Sequence, residues 1–255
     1  MAQQIKKRTG HLGFGAMLSS DLHRMFSQSL LKIFAAISFI VPILVLVMTT
    51  GMGKDAAAFT NVWQVIGSVS GTGNAMAMDM LSMCNMNLIY FGIAVFVCLF
   101  IGNDFQSGYA KHLFTVRAKR VSYSVSKLIC CVLAGTFMIL AFFLGAQIGG
   151  KAAGLPFAME GFTSENLIAC MLAKVFLLAV FAAIYEFAAI MARHRTWLAI
   201  LLSLAIGMLL FMLIPMLTPL NAGAVHVMGC LLGGVLFGAV SAVGSGKLLE
   251  KMSVV

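Results

Sequence analysis

The charges with the clearest spacing in this chain lie in residues 104–127, between two runs apolar enough to cross a bilayer. Asp104 is followed by Gly108, Lys111, Arg120 and Lys127 at offsets of +4, +7, +16 and +23. These types suit gripping by another protein rather than bond chemistry. Phe105, Tyr109, Leu113 and Phe114 would supply apolar contacts, while Lys111, His112 and Arg117 would offer positive charge to an acidic groove. Arg120 and Lys127 would anchor the base of the segment at lipid head groups.

Catalytic sets are missing. The sequence has no HExxH, no GxSxG and no paired carboxylates within an apolar run. Residues 145–152 imitate a phosphate loop, GxxxxGK, but Ala152 stands where a Ser or Thr would hold magnesium, and the run closes an apolar helix instead of opening one after a strand. Gly246-Lys247 is weaker still. Cys84, Cys98, Cys130, Cys131, Cys170 and Cys230 all fall in apolar runs without metal-site spacing, as small buried hydrophobes do. Two charges lie inside a predicted span, Lys174 and Glu186, and are candidates for a substrate pathway or for coupling. Twelve residues apart on a helix, they stand about 18 Å from each other and cannot pair. Lys174 could instead snorkel outward, and Glu186 lies within about two turns of Arg193.

The elements that must position these residues are membrane helices. Hydrophobic residues make up 61% of the 255 and charged ones 10%, with a mean hydropathy of +1.02, which excludes an ordinary soluble domain. Six apolar runs, about 33–51, 84–102, 128–149, 167–191, 196–216 and 225–244, each approach the roughly 20 residues that span about 30 Å of hydrocarbon. No barrel-like alternation is present, so the expected fold is an all-α membrane protein with six transmembrane helices. Lys6, Lys7, Arg8, Arg24 and Lys32 precede the first run, the 104–127 cluster separates the second and third, and Arg193 and Arg195 separate the fourth and fifth. Lys247 and Lys251 follow the sixth, and the opposite face has only Lys54 and Lys151, so the positive-inside rule places both termini in the cytoplasm. Topology and anionic lipid thus account for the net charge of +9 without nucleic acid.

Residues 1–28 are expected to form a cytoplasmic N-terminus with an interfacial helix, and 29–255 the six-helix membrane domain. Within 11–28 an interfacial helix is expected, with Leu18, Leu22, Met25 and Phe26 on one side and Asp21 and Arg24 elsewhere. The first run begins too far in for a cleavable leader and reads as an anchor. The outer segment 52–83 carries an apolar stretch, 59–66, that either caps the outer mouth or dips into the interface. With segment 150–166 it holds Asp55, Asp79, Glu160 and Glu165, a mildly acidic outer face. Gly229, Gly233, Gly234 and Gly238 in the sixth run would let another helix approach, in the same subunit or a second one.

On the offsets from Asp104 and on Ser20-Asp21-Leu22-His23-Arg24-Met25-Phe26, the chain resembles permease subunits of ABC-2 type transporters. In that family the second transmembrane helix ends in an acid; a Gly-containing turn, a coupling helix, an Arg and a Lys opening the third helix follow. Where the family has Pro-Val or Pro-Ile ahead of the Arg, this chain has Arg117-Ala118-Lys119, and its last outer connection is short. The resemblance implies a bacterial cell-membrane exporter, similar to small permeases for bacitracin or lantibiotic self-protection. It implies two permease subunits, identical or related, and two copies of a separate ATP-binding cassette subunit that holds ATP and magnesium. The chain itself would bind no cofactor and catalyse no reaction, and the cargo would be an amphipathic peptide or another hydrophobic compound. The alternatives are a non-transporting membrane scaffold or sensor partner and an ion-driven secondary transporter, which would need buried carboxylates near the midplane.

Overall fold

The computed structural model describes residues 13–51, 59, 61–68, 85–115, 119–158, 163–192 and 195–251. Lys6, Lys7, Arg8, Lys54, Asp55, Asp79, Cys84, Arg117, Glu160 and Arg193 lie outside the described residues.

Nine α-helices are described: α1 Phe14–Ser27, α2 Ser29–Gly51, α3 Ile89–Gln106, α4 Tyr109–Thr115, α5 Arg120–Ala152, α6 Ser164–Met191, α7 Thr196–Leu210, α8 Leu213–Leu217 and α9 Ala224–Lys251. No strand occurs among the described residues. Five segments are long and apolar enough to cross a membrane: Ser29–Thr49, Met86–Gln106, Arg120–Ala152, Ser164–Met191 and Ala224–Lys251. This is the architecture of a multi-pass membrane protein.

The expected fifth span, 196–216, is divided. α7 has 15 residues and α8 only five. Pro215 has no N–H to donate to the Phe211 carbonyl, so the Ile214 N–H takes that acceptor at 3.1 Å and the helix breaks over Phe211 and Met212. α5 differs the other way. Its 33 residues extend about 50 Å, well beyond about 30 Å of hydrocarbon, and it begins at Arg120 rather than near Leu128. Arg120 and Lys127 therefore belong to a helix, not to the loop before it.

α3 forms the centre of the bundle. In its membrane segment 61% is buried, against 22% for α2 and 28% for the segment of α9. It packs on α5, α6 and α7, while α2 lies along α5 and α9 along α6 and α5. Exposed Leu, Ile, Val and Phe side chains on α2, α5, α7 and α9 form the apolar surface that a bilayer requires.

Small residues set the closest approaches. A Cβ on Gly145 would collide with the Phe39 carbonyl, and one on Gly149 would come within 2.8 Å of the Ile43 Cα. The run that imitates a phosphate loop is thus a GxxxG face on which α2 rests. On α9, a Cβ at Gly234 would meet the Phe176 carbonyl at 2.9 Å and one at Gly238 the Leu128 side chain at 3.2 Å, both inside this chain, whereas one at Gly229 would meet nothing. Of the stretch 59–66, Phe59, Val62, Val65 and Ile66 are buried against the bundle. Its Trp63 donates to the Phe157 carbonyl at 2.7 Å and stacks on Phe143.

Candidate functional site

α1 meets α3 and α5 at the end of the bundle that carries α4, and its charged residues turn inward there. Met17, Asp21 and Met25 recur every four residues and form its buried face, while Phe26 is half exposed. The expected division, with Leu18, Leu22, Met25 and Phe26 on one side and Asp21 and Arg24 elsewhere, is therefore rotated, since Asp21 shares the buried face with Met25 and Phe26 does not. A carboxylate faces the core because a helix distant in sequence, α5, brings it a cation.

That cation is Lys127. It is fully buried, and its Nζ lies 2.7 Å from Asp21 Oδ1 and 2.7 Å from Asp104 Oδ2. Arg24 Nη2 donates to the other Asp104 oxygen at 2.7 Å and Arg24 Nη1 stands 4.0 Å from Asp21. Two acids and two bases leave no net charge. Hydroxyls complete the set: Tyr123 donates to Asp104 Oδ2 at 3.0 Å, Ser126 to Asp21 Oδ2 at 2.7 Å and Tyr109 to Asp21 Oδ1 at 3.4 Å. The Arg24 guanidinium lies 3.8 Å above the Tyr109 ring, and Lys127 Nζ lies 4.4 Å from the centre of Phe100. Burial works against the charge of Arg24, but the charge and hydrogen bond of Asp104 outweigh it and raise the Arg24 pKa above its ordinary value. Lys127 is accordingly no head-group anchor. It is the hub joining α1, α3 and α5.

α4 hangs from this hub. α3 ends at Gln106, Gly108 takes φ +75°, and seven residues of helix follow at a new angle. Leu113 is buried and Phe114 and Phe105 meet the Tyr123 ring edge-on, so the aromatic residues expected to touch a partner seat α4 on its own bundle. Lys111 and His112 stay exposed, and Arg120 lies 5.8 Å from the Phe114 ring. Asp21, Arg24, Asp104, Tyr109 and Lys127 are thus brought together, while Lys111, His112 and Arg120 form the outward surface beside them.

No family model, curated protein or solved structure matches this chain.

Lys174 and Glu186 occupy two separate buried sites on α6. Lys174 does not snorkel: it is fully buried, and its Nζ donates to Asn87 Oδ1 at 2.7 Å and Thr218 Oγ1 at 3.2 Å. Tyr90 donates to its backbone carbonyl at 2.9 Å. Lys174 thereby ties α6 to the residues at the start of α3 and just after α8. Glu186, also fully buried, accepts a short hydrogen bond from Ser124 on α5. Among the described residues no group of three His, Cys, Asp or Glu is placed to hold a metal, and the five described cysteines are free and buried.

Sequence reasoning missed Tyr123, Ser126, Asn87, Thr218 and Ser124. One signal was available: Tyr123, Ser126 and Lys127 share a face of one helix at spacings of three and four.

Proposed function

We propose that this chain is the transmembrane permease subunit of an ATP-driven ABC-2 type exporter in a bacterial cell membrane. The observation that carries this reading is the four-charge cluster of Asp21, Arg24, Asp104 and Lys127, with the short helix α4 hung beside it and Lys111 and His112 exposed. A projecting helix moves a bundle only if its base is rigid. Here Tyr109 at the start of α4 touches Arg24 and Asp21, so a push on α4 reaches α1, α3 and α5 together.

In this reading the α1 and α4 end faces the cytoplasm with both termini, α1 lies in the interface, and the broken α7–α8 unit is the fifth of six passes. Two such permeases bind two ATPase subunits, and ATP-driven closure of those subunits acts on α4. Two apolar clefts of about 430 and 260 Å³ run along α6 between α7–α8 and α9, sharing Ile184 and Phe237. They suit the hydrophobic part of an amphipathic peptide or lipid-like cargo.

Purification in mild detergent from native membranes, followed by identification of associated proteins and an ATP hydrolysis assay, tests this. A bound ATP-binding cassette protein whose turnover falls in K111E is the expected result. A preparation without ATPase even after cross-linking would overturn it. The ion-driven reading gains one specific support, the buried Glu186 with no ion-pair partner among the described residues.

A further inference from the structure

Among the described residues, one buried acid lies outside the cation cluster. Asp21 and Asp104 pair with Lys127 and Arg24, and Glu186 forms no ion pair with a described residue. Its Oε1 accepts from Ser124, but its Oε2 is buried without any hydrogen-bond partner. An ionised carboxylate with a bare oxygen in a dry bundle is strongly disfavoured.

A second orphan lies at the same junction. Ser245 on α9 is fully buried, and its hydroxyl has no partner. One turn earlier on the same face, Ser241 donates to the Ala183 carbonyl of α6 at 2.8 Å. The neighbours of Ser245 are wedged against both other helices: a Cβ on Gly244 would meet the Phe187 ring at 3.4 Å, and one on Gly246 would press on Val121 at 2.6 Å. Phe187 follows Glu186 on α6, and Val121 precedes Ser124 by three residues on α5. The register therefore turns Ser124, Glu186 and Ser245 into one three-helix junction.

We propose that this junction is a proton-binding site, in which the Glu186 carboxyl carries its proton on Oε2. A lone pair of the carboxylate takes a proton from solvent hydronium, leaving water, and the net charge of the carboxyl becomes zero. The Ser124 bond already marks Oε1 as the acceptor oxygen. Protonated Oε2 becomes a donor, and the unpartnered Ser245 oxygen of α9 is an acceptor available at the same junction. The titratable groups facing Glu186 are Tyr123, Lys127 and Cys131 of α5. Lys127 is held by two other carboxylates. α3 contributes Asp104 through the Tyr123 hydroxyl, and the buried faces of α7 and of α9 around Ser245 carry no titratable side chain. Parting α9 from α5 and α6 would admit water and release the proton, so opening of this junction is linked to proton exchange whichever energy source drives it.

Infrared difference spectroscopy of the full chain in lipid nanodiscs at neutral pH tests the site without any transport assay, so its failure is distinct from failure of the exporter reading. The expected result is a carboxylic-acid C=O stretch that shifts in deuterium oxide, is lost in E186Q, persists in E165Q and changes frequency in S245A. E186Q keeps an acceptor for Ser124 and the same shape, so its folding is expected to survive. Absence of the acid band, or its persistence in E186Q, would overturn the proposal. So would a band seen only when sodium is withdrawn, which would assign the junction to a metal cation. An unchanged frequency in S245A would remove Ser245 from the site and overturn the three-helix form of it.

Discussion

The carboxylate of Asp21 and the ammonium of Lys127 are 106 residues apart in the chain and 2.7 Å apart in space, and neither side chain reaches solvent. Because both groups are desolvated, the contribution of the pair is asymmetric. The pair adds little over an apolar substitute, whereas either partner alone is a stranded charge.

K127M is therefore expected to lower stability by about 3–5 kcal/mol, the range for breaking one half of a buried pair. D21N with K127M should recover most of that loss, since Asp104 keeps Arg24 and Tyr123. Thermal unfolding in detergent of the two single variants and the double variant measures the coupling, and simple additivity would deny it.

Gly108 turns the chain from α3 into α4 at φ +75°, where a side chain is strained although space is open. G108A should disfavour this turn by about 1–2 kcal/mol. G108N should be milder, because Asn visits that region more readily. Hydrogen exchange confined to α4 is the measurement, with faster exchange in G108A than in G108N.

The GxxxG contact of α5 predicts a contrast between glycines. G145A sets a methyl group against the Phe39 carbonyl and should cost about 1–3 kcal/mol as α2 is pushed away. G229A meets nothing and should match or slightly exceed the parent protein in unfolding temperature. Equal effects would show that α2 does not rest on this face.

Lys111 is exposed on α4 and makes no contact in the cluster, so K111E should leave the unfolding temperature unchanged. In the exporter reading it should reduce ATP-dependent export several-fold in proteoliposomes holding the ATPase partner, through charge repulsion at a docking surface. Unchanged export would remove α4 from the coupling path.

How far the sequence reached can be argued from these same residues. Asp21, Arg24, Asp104 and Lys127 stood out as charges beside apolar runs, and four of the five long helices lie close to the hydropathy runs. The fourth run and α6 nearly coincide, because Thr163 caps its start and Glu165 lies in its first turn. The division of the fifth run was missed, since an average over some twenty residues smooths out a single Pro215.

Composition alone determined that this is an all-helical protein suited to a membrane, because nothing but helices or closed barrels satisfies the backbone in lipid and the spacing is not that of a barrel. Tertiary structure decided what the charges do. Helical periodicity states which residues share a face, but Asp21 faces inward only because Lys127, Ser126 and Tyr109 meet it there, and the energy of a buried charge depends on its partners more than on its own type. The same is true in reverse of Glu186, which the sequence marks only as a charge within a span. Its isolation exists only once α5, α6 and α9 have closed around it.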